Sequence, residues 1–132
     1  MRIKVILYWV ATALIALETF VGGVMDLFHG RTNVFSGSSV ADAVTTLGYP
    51  LYVLTILGIW KLGGAITLVI PGFLRLKEWA YAGIVFELTG ASASWVAIRD
   101  NTGQFIVPLA LAFLAIASWG LRPPSRTLGP GA

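Results

Sequence analysis

Glu18, Lys61 and Glu87 each stand near the middle of a run of hydrophobic residues. Asp, Lys or Arg at the centre of a membrane helix costs about 2.5–3.5 kcal/mol on insertion scales, and Glu is expected to be similar. Such groups face a partner or a polar cavity rather than lipid. Two carboxylates and one ammonium leave a formal excess of one negative charge, which a buried cluster neutralises by keeping a proton. Carboxylates of unequal acidity suit general acid–base work on a lipid-soluble substrate, with Glu18, Glu87 and Lys61 as the catalytic set of an isomerase, a hydrolase or a quinone-linked oxidoreductase subunit. The same three groups suit a polar anchor for a lipophilic ligand, a quinone or a sterol- or isoprenoid-like molecule. The plainer alternative has Lys61 pairing with the carboxylates only to hold helices in register.

Helical spacing adds neighbours to each charge. Glu18, Gly22, Met25, Asp26 and His29 share a face; Lys61 adjoins Gly58, Gly64, Ala65 and Leu68; Gly83, Glu87, Gly90 and Ser94 share another. Small residues at these places let a second backbone approach closely. Trp60, next to Lys61, offers packing or a stacking surface. The ligand-binding set expected from the sequence is therefore Glu18, Asp26, His29, Trp60, Lys61, Glu87 and Ser94. His29 is the single histidine, and at the outer end of its run it reads as an interfacial side chain, so no metal site is expected. The absence of Cys excludes disulfides, thiolate chemistry and cysteine-held iron–sulfur clusters, and one His excludes haem held by two histidines of one chain. The glycine pairs Gly22-Gly23 and Gly63-Gly64 have no phosphate-loop context. A cofactor, if any, is a bound quinone.

The elements that must position these residues follow from composition. Of 132 residues, 57% are hydrophobic and 11% charged, and the mean hydropathy is +0.83. A single domain of this make-up has more apolar surface than its own core can hide, which predicts an all-α integral membrane protein. Four apolar blocks, at about 3–28, 51–70, 79–98 and 105–121, match spans of a roughly 30 Å hydrocarbon layer. The first is too long for a signal-peptide core and is expected to remain as a span. Between the first two, Ser39 and Asp42 form a capping pattern ahead of Val40, Ala43, Val44 and Leu47, which predicts a short amphipathic helix at the membrane surface. Pro50 opens the second block, Pro71-Gly72 closes it, and Arg75, Lys77 and Glu78 are read as part of the following turn. Arg122-Pro123-Pro124 stops the last block. A four-span bundle over 1–123 and a flexible tail over 124–132 result.

Short connections make consecutive spans antiparallel neighbours, an up-down four-helix transmembrane bundle. Arg2, Lys4, Arg75, Lys77, Arg122 and Arg126 then fall on one side, with Arg31 and Arg99 on the other. That bias places both termini in the cytoplasm of a multi-pass protein of the inner (plasma) membrane. The net charge of +3 is thus topological, and no nucleic-acid partner is expected. The third block, rich in Ala, Gly, Ser and Thr, is too weakly apolar to insert well without partner helices. Its small-residue face suits a homodimer or a partner membrane subunit as well as packing within one bundle.

Several of these residues also form a pattern. Leu57-Gly58-Ile59-Trp60-Lys61-Leu62-Gly63-Gly64, Pro71, Glu78-Trp79-Ala80-Tyr81-Ala82-Gly83, Gly90-Ala91-Ser92 and the stretch from Ser118 to Arg122-Pro123 resemble the DoxX-like family of small bacterial membrane proteins. The resemblance runs over about 5–123. It implies a four-span bundle. Its relatives include a quinone-linked subunit of a thiosulfate-oxidising complex, a membrane partner of a redox assembly, and distant animal proteins that assist receptor assembly or carry cargo. Without Cys, redox work in this chain would need a quinone or a partner subunit to carry the electrons.

Overall fold

The computed structural model describes residues 2–28, 40–99 and 103–128. Among them there are five α-helices and one 3-10 turn: α1 Arg2–Leu27, α2 Val40–Thr46, α3 Tyr52–Val69, α4 Leu74–Ala97, α5 Ile106–Gly120, and the turn Pro124–Arg126. No strand occurs among the described residues. The four longer helices close a ring in which α1 packs on α3 and α5, and α4 packs on the same two from the other side. α1 and α4 are therefore diagonal, and anything that joins them must act across the bundle.

Each of these four helices gives the core at least one side chain: Ile15 from α1, Leu68 from α3, Tyr81 and Ile84 from α4, and Ala115 from α5. The outer surface, not the core, departs from that of a water-soluble protein. The buried face of α1 carries Thr12, Thr19 and Asp26 beside small residues, while Ile3, Ile6, Val10, Leu14 and Leu17 form an exposed stripe three or four residues apart. In water such a stripe is a liability; against lipid it is the proper surface. α1 and α3 are each long and apolar enough to cross a membrane. α5 is apolar but has 15 residues, about 22 Å at 1.5 Å per residue, and the Ala-, Gly- and Ser-rich α4 falls short in hydropathy.

Two boundaries differ from the sequence expectation. α4 begins at Leu74, so Arg75, Lys77 and Glu78 lie in its first turns and not in the connection. The chain reverses within a few residues because Gly72 and Phe73 both take positive φ, 76° and 52°, and strong helix formers follow at once. The C-terminal segment differs too. Pro124–Arg126 turns back on the bundle, and Arg126 donates hydrogen bonds to the carbonyl oxygens of Leu68 (3.0 Å) and Val69 (3.2 Å). Lys77, fully buried, donates its ammonium to the carbonyls of Thr67 and Ile70. The last carbonyls of a helix have no acceptor role within it, and they favour cations, so the end of α3 draws both side chains inward. The expected start of α2 at Ser39 lies outside the described residues.

Candidate functional site

Lys61 is the centre of the charged cluster. Its ammonium lies 2.8 Å from Asp26 Oδ2 on α1 and 2.9 Å from Glu87 Oε1 on α4, so one lysine on α3 ties together the two diagonal helices. Asp26 is 1% exposed, and its Oδ2 has the charge contact but no hydrogen bond of good angle among the described residues.

Glycines bring the backbones close enough for this. A Cβ on Gly58 would stand 2.9 Å from the Gly23 carbonyl oxygen and 2.8 Å from Leu27 Cγ, and one on Gly23 would stand 3.0 Å from Lys61 Cβ. The pairing of Gly58 with Leu27 and of Lys61 with Gly23 shows α1 and α3 running antiparallel.

The expected partners were Glu18 and Glu87; Glu87 is one, but Asp26 takes the place of Glu18. Glu18 stands beside the pair, its Oε1 lying 3.7 Å and the Lys61 Nζ 3.6 Å from where a Gly22 Cβ would be. The reason is directional. Helical side chains lean toward the N-terminus of their own helix. Lys61 springs from a point opposite Gly23 and leans toward the start of α3, which lies beside the end of α1, where Asp26 is. Glu18 leans the other way.

Lys61 and Glu87 also lie on the wall of a groove of about 800 Å³ between α3 and α4, lined by Trp60, Gly64, Thr67, Trp79, Gly83 and Phe86 among others. Trp60, Trp79 and Phe86 are 69%, 76% and 73% exposed, so the groove opens sideways to the surroundings of the bundle. The volume is in the range of small-molecule sites, about 300–1,000 Å³. Trp60, named from the sequence, lies on the wall of this groove. Ser94 does not: it is two turns beyond Glu87, where its Oγ donates to the Gly90 carbonyl and shares a 2.8 Å hydrogen bond with the Tyr49 hydroxyl. His29 lies outside the described residues. As a holder for a quinone the groove is meagre in donors. Lys61 has one N–H left after its two carboxylates, and the Thr67 hydroxyl donates to the Gly63 carbonyl.

Two polar groupings were not foreseen. In the core the Ser118 hydroxyl is hydrogen-bonded at 2.7 Å to both Thr12 Oγ1 and the Tyr81 hydroxyl, joining α1, α4 and α5. At the end of the bundle where α5 stops, Glu78 accepts hydrogen bonds from Arg122 (2.6 Å) and from the Trp119 indole (2.8 Å). Arg122 also lies over the rings of Tyr81 and Trp119, and Arg126 over Trp9 at 4.6 Å. In sequence, Thr12, Tyr81 and Ser118 are ordinary residues in ordinary positions; only the inward faces of three helices, known together, would have picked them out.

A bundle with an apolar exterior, polar groups bonded across an apolar core and a charge-bridged hub defines the class: a helical membrane protein. The model of the DoxX-like family matches residues 10–118, and the chain belongs to that family. Neither a curated protein nor a solved structure matches it.

Proposed function

We propose that this chain is a four-span protein of the plasma membrane, both termini cytoplasmic, that binds a lipophilic small molecule in the groove between α3 and α4, with Lys61 and Glu87 anchoring the ligand's polar end. The observation that carries this is the groove itself: a cleft of about 800 Å³ with aromatic walls that opens to the lipid side and reaches the charged hub. An apolar molecule enters such a site from the membrane without crossing water, and a few polar groups at its inner wall fix its orientation. Glu18, Asp26 and Lys61 then set the field at that wall. The acid–base alternative draws less support, because Lys61 holds both Asp26 and Glu87 in ion pairs and Glu18 does not line the groove.

Gly83 gives a clean test, since it lines the groove and a Cβ there would meet nothing within 4 Å. Protein purified in mild detergent or lipid nanodiscs is extracted, and bound molecules are identified by mass spectrometry. The wild type is expected to carry a lipophilic molecule near one per chain, and Gly83→Leu to lose most of it while keeping its helical circular dichroism. Equal retention by Gly83→Leu, or no bound species in the wild type, overturns the proposal.

A further inference from the structure

The charge count at the hub bears on which ligand this groove takes, a selectivity that rests on the groove's proposed ligand-binding role. Three carboxylates, Glu18, Asp26 and Glu87, gather around one ammonium. The cluster therefore has a formal excess of two negative charges, one more than Glu18, Lys61 and Glu87 alone would have, and it stays net negative when burial keeps a proton on one acid. Glu87 is the carboxylate on the wall of the groove, with its side chain 23% exposed. Lys61 lies on the same wall, its ammonium held by Asp26 and Glu87, so the floor of the groove is an ion pair backed by further acids. Its walls are Trp60, Trp79 and Phe86, whose ring faces are electron-rich. A neutral acceptor such as a quinone finds few donors here, and an anion meets carboxylates. An organic cation meets opposite charge below and aromatic faces around it, in a site whose low dielectric strengthens both.

We infer that the groove between α3 and α4 is selective for a lipophilic organic cation, a protonated amine or quaternary onium carried on an apolar body, bound with its charge against Glu87 and its body against Trp60, Trp79 and Phe86. Asp26 and Glu18 act from behind Lys61, keeping the hub negative when Glu87 is engaged. Trp60 adjoins Lys61 on α3, and Trp79 lies two turns before Glu87 on α4, both on the wall of the groove.

Tetraphenylphosphonium and tetraphenylborate, near-isosteres of opposite charge, separate charge from greasiness, and a short-chain alkylbenzoquinone stands for the neutral acceptor. Each is titrated into protein in nanodiscs, followed by tryptophan quenching and calorimetry, with empty nanodiscs subtracted. Tetraphenylphosphonium is expected to bind at least about tenfold more tightly than either other probe, the size of shift that one charge contact and one aromatic face supply. Glu87→Gln is expected to remove that preference while its circular dichroism stays unchanged. Should Glu87→Gln fail to fold, Trp79→Leu replaces it, with weaker phosphonium binding and little change for the quinone. Tighter binding of the quinone or the borate, or phosphonium binding unaffected by both variants, overturns the cation selectivity and leaves a ligand groove standing. If Gly83→Leu binds every probe as the wild type does, or the wild type binds none, the groove reading fails and this inference with it.

Discussion

Lys61 serves as a cross-brace: from α3 it reaches Asp26 on α1 and Glu87 on α4, two helices on opposite corners of the ring. Each of these ions alone in an apolar setting is expensive, and each is tolerated because the other two are present. Removing the cation is therefore worse than never having had the set. Lys61→Met is expected to destabilise the bundle by about 3–5 kcal/mol, since it strands Asp26, while Lys61→Met with Asp26→Asn recovers a good part of the loss. Denaturant unfolding in mild detergent measures both. A single-variant loss below about 1 kcal/mol, the worth of an exposed pair, would show that the brace does not bear on stability.

Between elements, glycine decides what is close. α1 and α3 meet at Gly23 and Gly58, where a methyl group has no room against a carbonyl oxygen, whereas Gly64 faces open space in the groove. Gly58 and Gly64, both on α3, should thus respond in opposite senses. Gly58→Ala is expected to cost about 1–3 kcal/mol by forcing the helices apart, and Gly64→Ala to gain up to about 1 kcal/mol from helix propensity alone. Melting temperatures in detergent check the signs; stabilisation by Gly58→Ala would contradict the close crossing. The end of α3 follows a related logic, with Lys77 and Arg126 supplying donors to carbonyls that the helix leaves unpaired.

For the whole molecule, the consequential arrangement is the ring α1–α3–α4–α5 with its exterior of large apolar side chains. Arg2, Arg75, Lys77, Arg122 and Arg126 lie at the end where α1 and α4 begin and α3 and α5 stop, and α2 with the connection before α3 lies at the other. Membrane proteins keep the basic end in the cytoplasm. The chain has no Cys, so single-cysteine variants report cleanly. In spheroplasts a membrane-impermeant maleimide is expected to label Thr46→Cys and to leave Thr127→Cys unlabelled until the membrane is permeabilised. The reverse pattern, or labelling of both from outside, would overturn the proposed topology.

What the sequence determined by itself was the class of protein and the apolar helices on which its charges lie. Apolar blocks, the absence of Cys and the placing of Lys61 and Glu87 are properties of local composition and helical period, and these need no tertiary information. α1, α3 and α5 accordingly begin and end within about two residues of the expected blocks. Tertiary structure decided which acid Lys61 holds. Both Glu18 and Asp26 lie on the inward face of α1, and only the antiparallel contact at Gly23 and Gly58, with the lean of a helical side chain, selects Asp26. It likewise decided that a groove opens between α3 and α4, and that Ser118 meets Thr12 and Tyr81. Those outcomes depend on how faces of different helices oppose one another, a relation between residues as much as 106 positions apart that no local pattern encodes.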